Sequence, residues 1–142
     1  MNYRECAEWL KNHDNILLLT HVRPDGDTLG SASALCSALR RCGKKAALYN
    51  NPDITPKYMK YIEQYVDADF AYDCAVAVDV AEKHMFPVGY NGEADACIDH
   101  HPSNSHYAHE LLLRPEKASC GEAVLEAVSY THLRAHETEL HL

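Results

Sequence analysis

The chain has 142 residues, 46% of them apolar and 24% charged, with a formal net charge of −8. This is the composition of one globular domain with room for a sizeable core. Apolar runs such as Ile16–Leu19 are far too short to span a bilayer. The start, Met1 to Cys6, has neither the basic end nor the apolar block of a signal peptide, which points to the cytoplasm.

The acidic balance argues against a long nucleic-acid duplex as partner, because phosphate backbones call for a basic surface. It leaves small phosphates open, since divalent cations make an Asp-rich site attractive to them. Six cysteines (Cys6, Cys36, Cys42, Cys74, Cys97 and Cys120) are scattered with no Cys-x-x-Cys pair. They read as buried reduced thiols rather than a disulfide framework or zinc ribbon.

In chain order, Tyr3–His13 reads as a short amphipathic helix, with Cys6, Trp9 and Leu10 on one side. Asn15–Thr20 is an apolar strand of the kind buried on both faces. Thr28–Cys42 carries Leu29, Ala32, Leu35, Cys36 and Leu39 at helical spacing, and Gly43 follows as a stop. Lys45–Tyr49 is a second strand. Pro52 and Pro56 mark a loop before a helix over Lys57–Tyr65, whose stripe Tyr58, Tyr61, Ile62 and Tyr65 reads as core. Strands follow at Cys74–Val80, Ala96–Asp99 and Leu111–Leu113, then a helix over Ala118–Val128. Alternating strands and helices predict an α/β fold, a mostly parallel sheet with helices on both faces.

That order brings three strand exits to one edge of the sheet, where open α/β folds place their sites. The first exit carries His21, Asp25 and Asp27 on a loop broken by Pro24 and Gly26, the second Asp79, and the third Asp99, His100 and His101. Each group has an ordinary structural reading. Asp27 could cap the following helix with Asp25 solvated, Asp79 could be a helix cap, and the two histidines could lie in a surface loop. Together, every such cluster falls at a strand terminus, and this favours a metal site.

The residues His21-Val22-Arg23-Pro24-Asp25-Gly26-Asp27-Thr28-Leu29-Gly30-Ser31, then Val78-Asp79, then Ile98-Asp99-His100-His101-Pro102-Ser103-Asn104 resemble, in order and spacing, the first three motifs of the DHH phosphoesterase family. The branch they most resemble is the bacterial oligoribonuclease/3′-phosphoadenosine-5′-phosphate phosphatases. The resemblance covers Tyr3 to Val128. It implies a two-metal phosphoesterase acting on short RNA or a nucleotide phosphate, with two Mn²⁺ ions (Mg²⁺ being the alternative) that activate a water. It implies His21 and Asp25 on one ion, Asp27 and His100 on the other, and Asp79 bridging both. Carboxylates and imidazoles together suit Mn²⁺ or a similar borderline cation, with no thiolate to select zinc, and the preference for Mn²⁺ comes from the resemblance alone. Three Asp charges against two divalent ions leave net positive charge for a phosphate, and the ion pair can clamp the attacking and leaving oxygens.

Gly26 is expected to let the backbone turn so that Asp25 and Asp27 face different ions. The N-terminus of the Thr28 helix adds its dipole. The resemblance implies that His101 contacts the scissile phosphate, as a catalytic residue, and that Asp99 orients the histidines. Arg23 reads equally as a phosphate contact or a solvated charge. A homodimer is the assembly to look for in a full-length protein.

A fourth motif with a further Asp, and a C-terminal substrate-binding domain, belong to the family and are not seen in this sequence. Residues 1–128 are therefore expected to form an incomplete N-terminal domain, inactive or weak as a fragment. Residues 129–142 resemble translated sequencing adapter, a spurious or disordered tail in which the spacing of His132, His136 and Glu137 only mimics a helical metal site. The competing readings are an inorganic pyrophosphatase or exopolyphosphatase, a cyclic-dinucleotide phosphodiesterase, and a non-catalytic metal- or nucleotide-binding module.

Overall fold

The computed structural model describes the backbone of residues 1–140 and side chains through Thr131. Helix α1 (Tyr3–Lys11) begins at Asn2, whose side chain accepts from the Glu5 amide while the Glu5 carboxylate takes the Asn2 amide, a reciprocal cap. Strand β1 (Ile16–Leu19) is buried along its whole length. Helix α2 (Gly26–Arg41) ends where Gly43 turns to φ +82, letting the Lys44 amide reach back to Leu39 O.

The order continues with β2 (Ala46–Leu48), α3 (Pro56–Ile62), a 3-10 turn at Glu63–Tyr65, and β3 (Cys74–Val78). A second 3-10 turn at Lys83–Met85 precedes β4 (Ala96–Asp99), β5 (Glu110–Leu113) and α4 (Cys120–Leu140). The five strands form one sheet in the order β2-β1-β3-β4-β5, with every pair parallel. The chain leaves β1 toward β2 on one side and returns to β3 on the other. The topological switch point therefore lies between the ends of β1 and β3.

The parallel α/β sheet is as expected, but its two faces are covered differently. Ile16, Leu18, Val76, Val78, Ile98 and Leu112 pack against Leu10 of α1, Leu29, Leu35 and Leu39 of α2, Ile62 of α3 and Val124 of α4. On the other face, Leu17, Leu19, Ala75, Ala77 and Cys97 are covered by Tyr49, Phe70, Met85, Phe86, Tyr90 and Tyr107, none of them in an α-helix. The reason is visible in the chain. The β3–β4 and β4–β5 connections hold only a 3-10 turn and extended loop, so aromatic side chains do the covering there.

Several boundaries also differ. Helix α2 starts at Gly26 rather than Thr28, because Asp25 rather than Asp27 caps it, with Asp25 Oδ1 3.0 Å from the Thr28 amide. Gly26 is thus an ordinary first-turn residue and not the expected special turn; left-handed backbone occurs instead at Arg23 (φ 49) and Asp79 (φ 67). The third strand stops at Val78, where Asp79 takes that conformation. The expected helix over Lys57–Tyr65 divides into α3 and a 3-10 turn. Within its stripe Ile62 is buried and Tyr58 and Tyr65 pack on the core, but Tyr61 is 69% exposed. Cys42, at the end of α2, is exposed, while the other five thiols are buried.

The last helix begins at Cys120 rather than Ala118 and continues through residues 129–140, the segment read above as a tail. The side chains of His132, His136 and Glu137, and residues 141 and 142, lie outside the described residues. Among the described residues, no helix is long and apolar enough to cross a membrane.

Candidate metal centre

The exits of β1, β3 and β4 bring His21, Asp25, Asp27, Asp79, His100 and His101 together, as the sequence order implied. Asp79 is at the centre. Its side chain is 3% exposed, its backbone amide continues the sheet by donating to Ile98 O, and its Oδ1 is buried with no hydrogen-bond donor among the described residues. Around it, His21 Nε2 lies 3.9 Å from Oδ2, His100 Nε2 3.3 Å from Oδ1, and His101 Nδ1 3.7 Å from Oδ1.

The tautomers explain why these groups do not simply bond one another. His21 Nδ1 is 2.7 Å from Val22 O, and His100 Nδ1 is 3.2 Å from Lys117 O. A carbonyl only accepts, so each Nδ1 carries a proton and each ring turns its Nε2 inward, where an imidazole in its neutral form offers a lone pair. Those lone pairs face carboxylate oxygens: Asp25 Oδ1 at 3.6 Å and Asp79 for His21, Asp27 Oδ2 at 3.6 Å and Asp79 for His100. Most of these separations are too long for hydrogen bonds. Inward lone pairs, acceptor carboxylates and an orphaned Asp79 Oδ1 form a donor set for cations rather than a self-contained network. Two groups sharing Asp79 have ligand atoms close enough to hold one ion each: His21, Asp25 and Asp79, and Asp79, His100 and His101.

Asp27 stands beside the second group and is committed elsewhere too. Its Oδ2 accepts the Cys120 amide at 3.0 Å, and its Oδ1 accepts the Gly121 amide and the Ser31 hydroxyl, both at 3.1 Å. The first two amides of α4 thus end on a carboxylate of α2, which joins helix capping to the site. Thr28 Oγ1, fully buried, donates to Val78 O and ties the start of α2 to the end of β3.

Burial, reinforced by the charge of Asp27, raises the Asp79 carboxyl from the usual range to about 7; the nearby histidines oppose that rise. At His101 burial works downward but is outweighed by the hydrogen bond and charge of Asp99, with Asp79 and Asp27 adding, so its pKa is raised. Asp99 is wholly buried, and its Oδ1 accepts the His100 amide at 2.8 Å and meets His101 Nδ1 at 2.7 Å. Arg23 is exposed at the rim, its amide held by Asp53 Oδ2 at 3.1 Å.

Two buried asparagines, neither given a role from the sequence, support these residues. Asn51 is buried and donates to Thr20 Oγ1 and His21 O, holding the first loop. Asn104 is buried and donates to Asp99 Oδ2. Asn104 lies within the third motif, whereas nothing near Asn51 except the Asn-Pro-Asp turn composition would have pointed to it.

Known proteins match this chain along most of its length. It is 33% identical, over 133 residues, to the protein named "Bifunctional oligoribonuclease and PAP phosphatase NrnA" of Thermus thermophilus; the match covers 88% of this chain and 40% of the relative. A "Probable bifunctional oligoribonuclease and PAP phosphatase NrnA" of Streptococcus mutans is 25% identical over 131 residues, covering 88% of this chain and 42% of that one. The chain therefore spans about two fifths of the length of these curated relatives. The crystal structure of an exopolyphosphatase-related protein from Bacteroides fragilis superposes with a TM-score of 0.66 at 19% identity, over 90% of this chain and 43% of that one, a likeness of fold. Residues 15–141 match the model of the DHH family, N-terminal domain, and the chain belongs to that family.

Proposed function

We propose that this chain is the metal-holding part of a two-metal phosphoesterase that hydrolyses short oligoribonucleotides and 3′-phosphoadenosine 5′-phosphate with Mn²⁺. One observation carries the reading: the buried Asp79 carboxylate, one oxygen without a donor among the described residues, is shared by two groups that can each hold an ion. The names of the Thermus and Streptococcus relatives support the substrate class.

In this reading His21 and Asp25 would hold one cation and Asp27 and His100 the other, with Asp79 shared; Asp27, whose Oδ2 is 3.6 Å from His100 Nε2, would take the place that His101 has in the second group. The cations, when bound, supply Lewis acidity toward the phosphoryl group and activation of water near neutral pH. The chain's own residues do the rest. Val22 O and Lys117 O fix the two imidazoles with Nε2 inward, so no tautomer change is needed when a cation enters. His101 lies at the rim, 39% exposed, where it meets a substrate oxygen and holds or releases a proton. Asp99 orients it, and Arg23 adds positive charge where an anion arrives.

The test is hydrolysis of a short oligoribonucleotide, 3′-phosphoadenosine 5′-phosphate and pyrophosphate with Mn²⁺. The chain and the product of its reading frame extended to the relatives' length are compared, each beside Asp79→Asn. Nucleotide cleavage by the longer product that disappears in the variant supports the reading. Cleavage of pyrophosphate alone moves the protein to a pyrophosphatase, and no hydrolysis by the longer product leaves a binding module.

A further inference from the structure

We propose that a cavity on the second face of the sheet binds a small organic cation, a quaternary or alkylated ammonium group, among its aromatic side chains. The cavity holds about 250 Å³ and opens beside the end of β2. Leu17 of β1, 3% exposed, is its floor; Tyr49, Phe70 and Tyr72 are its walls, and Asn50 and Asp67 stand at a polar rim. The walls are held from outside the cavity. Tyr49 donates to Val88 O at 3.2 Å, over Gly89, whose φ is +94 and where a Cβ would come within 2.7 Å of the Tyr49 hydroxyl. Tyr49 and Tyr72 both lean on the Tyr90 ring, at separations of 5.7 and 6.4 Å, and the Tyr90 hydroxyl donates to Glu93 O.

Covering the sheet does not account for this group. Phe86 and Tyr107 pack edge to face and are half-buried, whereas Tyr72 is 46% exposed and Val88, beside Tyr49, is 59% exposed. The charge at the rim decides the ligand. Among the described residues no Lys, Arg or His lines the cavity, and Asp67 makes no ion pair. Asp67 Oδ1 accepts the Asp69 amide at 3.0 Å, which leaves Oδ2 to a ligand. A nucleotide brings phosphate charge that these carboxylates repel. An ammonium group is attracted both to the aromatic rings and to the carboxylate. Drug-sized ligands fill roughly 300–1,000 Å³, so this smaller cavity suits a cationic head group. None of the lining residues belongs to the metal centre, and the site does not depend on the function proposed above.

The experiment is titration of the natural chain, followed by amide NMR shifts, with choline, its uncharged isostere 3,3-dimethylbutan-1-ol, adenosine, and a short peptide carrying trimethyl-lysine. Choline is expected to shift the amides of residues 49–50 and 67–72 with a dissociation constant of about 1 mM or below, and the isostere to bind at least about fivefold more weakly. The peptide beside choline tells a protein side chain from a free cation: the tighter of the two is the source, and either supports the site. Tyr72→Phe is expected to keep the affinity within about twofold, while Tyr72→Ala and Asp67→Asn each lower it about fivefold. Both positions are exposed, and Asp67→Asn keeps an acceptor for the Asp69 amide, so it carries the test if Tyr72→Ala does not fold. Equal binding of choline and its isostere overturns the proposal, as does saturation by adenosine without a response to either cation. No saturable shift with choline or the peptide, or unchanged affinity in the folded variants, overturns it as well.

Discussion

The two halves of the centre are built in different ways. His21 and Asp25 are four residues apart and anchored locally: one ring nitrogen on Val22 O, one carboxylate on the Thr28 amide. Asp27 and His100 are anchored by the segment Lys117–Gly121, which gives His100 its carbonyl partner and Asp27 two amides. The first half needs the β1–α2 turn and the Asn51 bonds that hold it, but no contact from α4. The second exists only when α4 has docked. Asp79, between them, belongs to both.

The largest expected effect strikes both halves at once. Asp79→Asn keeps the size and tolerates the left-handed backbone, but removes the shared charge. Mn²⁺ affinity is expected to fall by at least about a hundredfold in calorimetric titration. The same variant has a second signature. Because burial holds the folded Asp79 proton up to about 7, the metal-free folded state keeps a proton that the unfolded state gives up near 3.8. This contribution to stability is full in acid and is lost as pH rises through that window; the raised His101 acts in the same direction. Asp79→Asn is therefore expected to raise the metal-free melting temperature at about pH 8, while removing stabilisation by Mn²⁺.

Next come substitutions that divide the halves. Asp27→Ala removes the carboxylate acceptor for two α4 amides and is expected to cost about 1–2 kcal/mol of stability by denaturant unfolding. Hydrogen exchange at Cys120 and Gly121 should accelerate with it. Asp25→Ala removes only the local cap of α2, at about 1 kcal/mol, and leaves exchange in α4 unchanged. Equal effects of both variants on α4 would break the distinction. The smallest expected effect is Thr28→Val, which loses the hydroxyl bond to Val78 O in a fully buried position. It should cost about 1 kcal/mol while metal affinity changes only a few-fold.

The same division explains what could be read from the sequence. The strands, their parallel order and the meeting of three strand exits follow from apolar runs separated by helical patterns, and these were legible. So were the ligand-type residues, because imidazole and carboxylate are unusual at the ends of buried strands. What holds them was not legible. That Asp27 spans 93 residues to Cys120 depends on the docking of α4, which no local pattern records, and the choice of Asp25 over Asp27 as cap of α2 lies between two carboxylates only two residues apart. The aromatic cover of the second face escaped for a similar reason. Phe86, Tyr90 and Tyr107 lie in segments without periodicity, and only the sheet beneath them makes them its partly buried cover.

In the proposed function one buried carboxylate, Asp79, serves two cations. Calorimetric titration of the metal-free chain with Mn²⁺, beside Asp79→Asn, tests it most directly. Two ions per natural chain, both lost in the variant, is the expected result. An Asp79→Asn chain that binds Mn²⁺ as the natural chain does, or a natural chain that binds none, would contradict it.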